Sequence, residues 1–238
     1  MSDNDRKGLV LIGGGGHCKS IIDVIESITS YSISLGGKIR IAKIVDTKEN
    51  FDKHIVGEYY VNESMENLDR LTGYYENFVL AFGQLKTPNG RPEMMQRLQA
   101  LGAKFPTLIS PHARVSPFCA VGKGTVIMHG AVVNANSLVG SGCILNTGCC
   151  IEHDAIVGSF THVSTNAVVN GGSCVGQECL IGSNAVVLNQ IDVCDKTVVG
   201  AGSVVIKSIS ESYGIYVGNP AQLIKKNDAF IKYEANRV

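Results

Sequence analysis

One short stretch, Ile151-Glu152-His153-Asp154, carries the residue types that proton transfer needs. A histidine titrates near neutrality, so it can take a proton from an attacking amine or hydroxyl. The adjacent acid, Asp154, can orient the ring and stabilise its cation, as carboxylates do in other His–acid pairs. The bland alternative is an ordinary surface histidine, because one imidazole without geometry is a weak signal. His162 and His129 do not share a face with His153, and no His/Cys set has metal-ligand spacing, so no metal is expected.

The elements that must hold this pair are set by a period of six. From Ile109 to Val205 every sixth residue is aliphatic, seventeen positions without a skipped beat. Four residues after each comes a mostly small one, with Ile191 and Ile209 departing. Six fits neither a helix nor a simple strand and is the signature of a parallel β-helix. Three hexads make one coil of eighteen residues, and the stack is about 27 Å long at about 4.8 Å per coil. The eighteen-residue step places Ala135 below His153 and Gly171 above it, so an outward imidazole is open to a ligand. The same step links Thr165, Ser183 and Ala201, small residues that leave a shallow groove with backbone amides on its floor. A long thin molecule such as pantetheine fits such a groove. His162 lies half a coil from His153 and can meet it only across a subunit interface.

The inward small position also takes Cys119, Cys143, Cys149 and Cys179, which read as compact apolar filler. There is no C-x-x-C, and neither a signal peptide nor an apolar run of membrane length stands out. A reducing cytoplasmic location is therefore expected. Lys+Arg and Asp+Glu both total 21, so no basic field recruits nucleic acid or an acidic membrane.

Ahead of the repeat, residues 8–13 read as a buried strand. Gly13 to Gly16 and His17 form a turn, and a helix is expected from Ser20. Strand, glycine turn and helix N-terminus is how α/β proteins cradle phosphate. The third glycine of the dinucleotide fingerprint is missing, and a tight turn without a ligand is the alternative. A second strand fits Arg40 to Val45, closing on Asp46, where a nucleoside would lie. A third fits Asn77 to Phe82, ending at Gly83, and a helix fits Arg91 to Leu101. The expected organisation is a small Rossmann-like βαβαβ domain over 1–105, a β-helix over 106–211 and a capping tail over 212–238. Within the first, 29–38 reads as a loop. In the tail, Tyr216 to Ala221 reads as a turn and 227–236 as a helix.

Several motifs taken together go further. They are Gly13 to His17, Pro106 to His112, Ile144-Leu145-Asn146-Thr147, Ile151 to Asp154, Thr161-His162-Val163-Ser164 and Gly218-Asn219-Pro220-Ala221. Over nearly its full length the chain resembles the NeuD/PglD family of sugar acetyltransferases. That resemblance implies a left-handed β-helix and a homotrimer binding acetyl-CoA between neighbouring prisms. It implies His153 as catalytic base, Asp154 as its partner, and His162 and Asn146 lining the acetyl-CoA and acceptor pocket. The amides of Gly171, Ser183 and Ala201 would hold the thioester and pantetheine, and the Gly218-Asn219-Pro220 turn would contact acetyl-CoA. Gly14, Gly15, His17, Asp46 and Gly83 would hold the nucleotide of a nucleotide-linked amino sugar. Two features depart from the family: an Asp where the bacillosamine-pathway relatives carry Glu, with shorter reach, and extra residues around 29–39.

The leading expectation is acetyl transfer to the amine of a nucleotide-linked 4-amino-4,6-dideoxy sugar used in surface polysaccharide. The alternatives are O-acetylation of a sialic acid or other sugar hydroxyl, and an inactive trimeric scaffold or nucleotide sensor.

Overall fold

The computed structural model describes residues 7–33, 39–84 and 90–235. They form two compact units. One takes the chain up to Gly83 together with Gly90–Pro111. The other takes Gln84 and everything from His112 onward.

In the first unit, β1 (Leu9–Ile12) is buried along its whole length, which is why it reads as an unbroken apolar run. It pairs in parallel with β2 (Ile41–Asp46) and with β6 (Asn77–Leu80). Helix α1 (Gly16–Ile33) covers the sheet with Ile21, Val24 and Ile25, all fully buried, each worth about 1.5–3 kcal/mol. The chain makes more structure here than its pattern shows. A hairpin of β3 (His54–Val56) and β4 (Tyr59–Tyr60) leads to β5 (Glu63–Ser64), which adds a fourth parallel strand beside β2. The two residues of β5 are polar, so no apolar run announces it. After the short helix α2 (Leu68–Leu71) and β6, helix α3 (Arg91–Ala100) closes the unit.

The expected loop at 29–38 is corrected in part. Helix α1 continues to Ile33, because Thr29 is buried with its hydroxyl donating to the carbonyl of Ile39 at 3.0 Å. A polar residue on the inner face is thus satisfied. Residues 34–38 lie outside the described residues. The same helix starts at Gly16, four residues earlier than Ser20 suggests.

The repeat forms two-residue strands every six residues, from Leu108–Ile109 to Val204–Val205. From Arg114–Val115 to Val186–Val187, each pairs in parallel with the strand eighteen residues on, as Val132↔Cys150, Cys150↔Val168 and Val168↔Val186. This gives a left-handed parallel β-helix of three faces. The first face holds Val126–Ile127 to Val198–Val199. The second holds Arg114–Val115 to Val204–Val205, and the third Ala120–Val121 to Asp192–Val193. The inward row is buried from Ile127 to Val205, while Val115 and Val121 are part-buried and Ile109 is exposed. Ile209 departs from the small-residue pattern because it packs on the last coil and bridges to Val193.

The expected turn at 216–221 is narrower. Tyr216 and Val217 end a strand, Gly214–Val217, that pairs antiparallel with Gln222–Lys226, and only Gly218 to Ala221 turn. The terminal helix Asp228–Ala235 buries Phe230 and is tied down by a 2.9 Å ion pair from Glu234 to Lys196. No helix among the described residues is long and apolar enough to cross a membrane.

Candidate active site

The corner between the second and third faces carries His153. Its column along the axis is Ala135, His153, Gly171, joined by Asp154 N–H to Ala135 O and Gly172 N–H to His153 O, both 3.1 Å. The following residue at each level is left-handed: Asn136 (φ 59°), Asp154 (φ 60°) and Gly172 (φ 68°). Asn, Asp and Gly are the types that accept this conformation. Asp154 therefore fits the backbone as well as the chemistry.

From that position the short carboxylate does reach the ring. His153 Nδ1 donates to Asp154 Oδ2 at 2.8 Å. Asp154 Oδ1 accepts from Asn136 Nδ2 at 3.3 Å, one coil below. The hydrogen bond His153 donates to Asp154 holds the His153 pKa above its ordinary value, with the charges of Asp154 and Glu152 adding to it. The same bond, then that of Asn136, holds Asp154 below the usual carboxylate range. Both side chains are exposed. Nδ1 is committed, so the lone pair of the neutral ring is at Nε2, which has no partner among the described residues.

The ring lies over Gly171. A Cβ placed there would sit 2.8 Å from Cε1 and 2.9 Å from Nε2, so only glycine leaves the imidazole this pose. The column thus explains itself: a ring on one coil requires a missing side chain on the next.

At the neighbouring corner, between the first and second faces, Thr165, Ser183 and Ala201 stack at the eighteen-residue step. Asn184 N–H bonds to Thr165 O at 2.9 Å and Gly202 N–H to Ser183 O at 2.8 Å. The amides of Ser183 and Ala201, and that of Gly171, make no hydrogen bond among the described residues. Outward donors without bulky cover can hold the carbonyl oxygens of an extended amide chain. The Gly218-Asn219-Pro220 turn packs on the last coil, with Gly218 N–H donating to Ser203 Oγ at 3.0 Å.

His162 and Asn146 lie elsewhere, on the first face, bonded to each other at 3.2 Å through His162 Nε2 and Asn146 Nδ2. Within one chain they do not join His153. His162 is 8% exposed, and its Nδ1 donates to the carbonyl of Gln84 at 3.0 Å.

In the other unit, the carboxyl ends of β1, β2 and β6 bring together the glycine turn, Asp46 and Gly83. Asp46 accepts from Gly14 N–H at 2.6 Å, which braces the loop, while its other oxygen accepts from Thr47 N–H at 2.7 Å at the end of its own strand. Gly14 must be glycine, since a Cβ would meet Val61 at 2.7 Å and Asp46 at 2.9 Å. Gly15 has open space where a side chain would point, and the His17 ring lies beside Gly83. Open amides at the start of an eighteen-residue helix suit an anion.

Three thiols of the prism are held in their protonated, weakly nucleophilic form. Burial pushes Cys149 and Cys179 up to about 12. Cys150 is pushed up to about 11 by burial and by Glu152, to which its thiol donates at 3.5 Å. No group of three or more His, Cys, Asp or Glu among the described residues could hold a metal. Sequence reasoning missed two supporting residues. Asn136 was within reach of the eighteen-residue step taken back from Asp154, whereas Gln84 gives no periodic signal.

Comparison with known proteins fits this arrangement. The family model of the PglD N-terminal domain matches residues 8–98. PerB from Caulobacter crescentus, solved with CoA and GDP-perosamine, is 28% identical over 92% of this chain and 97% of its own, with a TM-score of 0.79. The acetyltransferase domain of PglB from Neisseria gonorrhoeae is 30% identical over 92% of this chain and 100% of its own, also with a TM-score of 0.79. The same domain was solved with acetyl coenzyme A and matches with a TM-score of 0.77. No curated protein matches by sequence.

Proposed function

This chain belongs to the NeuD/PglD family of sugar acetyltransferases, and we propose that His153 is the base with which it acetylates the amine of a nucleotide-linked 4-amino-4,6-dideoxy sugar. It is an acetyl-CoA-dependent sugar N-acetyltransferase acting on a nucleotide-linked amino sugar. The observation that carries the finer reading is the His153 pose: Nδ1 held by Asp154, Nε2 open, the ring over Gly171.

In this mechanism the sugar amine attacks the acetyl carbonyl directly. Nε2 of His153 takes a proton from the nitrogen, and Asp154 stabilises the imidazolium. The Gly171 amide donates to the carbonyl oxygen as negative charge builds there. The intermediate then expels the CoA thiolate, and His153 returns the proton to the sulfur. The outward amides at Ser183 and Ala201 fit the pantetheine carbonyls, and the Gly218-Asn219-Pro220 turn bounds the groove beyond them. The glycine loop from Gly14 to His17, with Gly83, fits the nucleotide, and Asp46 braces it.

A homotrimer with sites between prisms completes the pocket, since His162, Asn146 and the amide row at Ser183 and Ala201 then come from a neighbour. The third face favours it: Leu138 is 50% and Ile156 41% exposed on adjacent coils. Monomers rarely leave such rows uncovered.

The test is thiol release from acetyl-CoA with GDP- and UDP-linked 4-amino-4,6-dideoxy sugars, wild type against His153→Ala. A loss of roughly 10²–10⁴-fold is expected. Release that survives the substitution removes His153 as the base, and release with neither sugar overturns the substrate class.

A further inference from the structure

The first face of the prism carries a chain of hydrogen bonds that the acetyl-transfer steps above leave unused. It begins at Gln84, which is 2% exposed. Its side-chain amide nitrogen donates to the carbonyls of Glu178 at 3.3 Å and Cys179 at 3.1 Å, clamping the residue to the coil above His162. Its main-chain carbonyl accepts from His162 Nδ1 at 3.0 Å.

A carbonyl oxygen only accepts, so the proton sits on Nδ1, and the neutral ring presents a lone pair at Nε2. That lone pair faces Asn146 Nδ2, which only donates, at 3.2 Å. Asn146 Oδ1 in turn accepts from the Thr147 amide at 2.8 Å and from its hydroxyl at 3.3 Å. Every donor meets an acceptor. Moving the ring proton to Nε2, or turning the carboxamide over, would set like against like at two contacts. One amide N–H of Asn146 is taken by His162, and the second has no partner among the described residues. The neighbouring Thr147 is exposed. Thr147, next to Asn146, lies one coil before Thr165 and two before Ser183, beyond the end of the outward amide row. That end of the groove is where an acceptor rather than pantetheine would lie.

We propose that Gln84 is a positioning residue for the acceptor pocket: it locks His162 as the Nδ1–H tautomer and so turns one Asn146 amide N–H outward as a donor to an oxygen of the acceptor sugar. This rests on reading His162 and Asn146 as pocket residues. Gln84 touches neither substrate. It acts through the ring, whose tautomer is set by the hydrogen bond at the opposite nitrogen.

The experiment pairs ¹⁵N NMR of the histidine-labelled full chain with steady-state kinetics, on wild type, Gln84→Ala and Gln84→Met. The Met variant keeps the bulk and removes the clamp, so one folded variant is secured. Wild-type His162 is expected with Nδ1 protonated and Nε2 not, a pattern opposite to that of an unconstrained neutral histidine. In the variants this pattern should be lost. KM for the nucleotide amino sugar should then rise about tenfold, the equivalent of one well-placed hydrogen bond, with KM for acetyl-CoA nearly unchanged. An Nε2–H wild type overturns the proposal without any variant. So does a variant that keeps the pattern, or one that loses it with sugar KM unchanged. Should wild type turn over no amino sugar, the proposed substrate fails separately. The tautomer, and calorimetric binding of the nucleotide sugar to wild type and Gln84→Met, then decide the role of Gln84.

Discussion

Replacing Gly171 by alanine tests whether the pose of His153 is the working one. The new Cβ would lie 2.8 Å from Cε1, 2.9 Å from Nε2 and 3.3 Å from Nδ1 of the imidazole. Carbon atoms settle at about 3.5–4.0 Å, so the ring must retreat by roughly 1 Å. It can do so, because the side chain is exposed and Gly171 does not use a left-handed backbone. The main chain need not move, and the loss of glycine's freedom in the unfolded chain contributes about 0.4–1 kcal/mol in favour of the variant. Stability should therefore hold, while a displacement of roughly 1 Å at the base costs about 10²-fold in rate. The Gly171 amide is retained, so the loss reports on the ring and not on the oxyanion donor. Thiol release should fall about 100-fold in Gly171→Ala with an unchanged melting temperature, and the same substitution in a His153→Ala background should cost nothing further. A single variant within about threefold of wild type would refute the argument, since the ring over Gly171 would then not be the catalytic pose. An additive double variant would refute it as well, by placing the damage in the backbone.

Two further outcomes follow from the same geometry. The carboxylate of Asp154 holds His153 above its ordinary pKa, and only the neutral ring can accept a proton. Activity should therefore rise with pH through a midpoint above that of an ordinary imidazole, and in Asp154→Asn the midpoint should move to lower pH while the plateau drops. A pH–kcat/KM profile whose acid limb does not move would sink the assignment. On the third face, Leu138→Asp places a charge in the exposed apolar row, so sedimentation should pass from a three-chain to a one-chain species with turnover lost in parallel. A monomeric variant with full activity would show that one prism suffices.

The solenoid was legible because its inside repeats: an aliphatic residue every six positions has one use, and the structure buries that row from Ile127 to Val205. The column through His153 was legible for the same reason, since the eighteen-residue step is the stacking register itself. Features that depend on a different part of the chain left no such mark. Gln84 meets His162 across 78 residues of sequence, and nothing near either one announces the other. β5 is held by its pairing with Val45 and Asp46, not by any apolar pattern of its own. The extension of α1 past Thr29 depends on one hydroxyl finding one carbonyl.

The departure at residue 154 shows how the fold and the chemistry constrain each other. The shorter acid would fail to reach the ring from an ordinary extended backbone with its side chain on the opposite side. It succeeds because the coils from Asn136 to Gln190 turn this corner with a left-handed residue, and that conformation brings the Asp154 carboxylate back onto His153 Nδ1 at 2.8 Å. Asn136 occupies the same left-handed position one coil below, and its amide reaches up to the second carboxylate oxygen. The repeat therefore supplies the His153 imidazole with an orienting acid and supplies that acid with its own support. All of it comes from stacking small polar residues where the backbone already favours them. A glutamate here would have to accept the same backbone with a longer chain, as Glu178 does at another corner with φ 55°. Its carboxylate would then no longer fall between His153 and Asn136 without bending. Acid length at this corner is thus set by the coil beneath as much as by the histidine beside it.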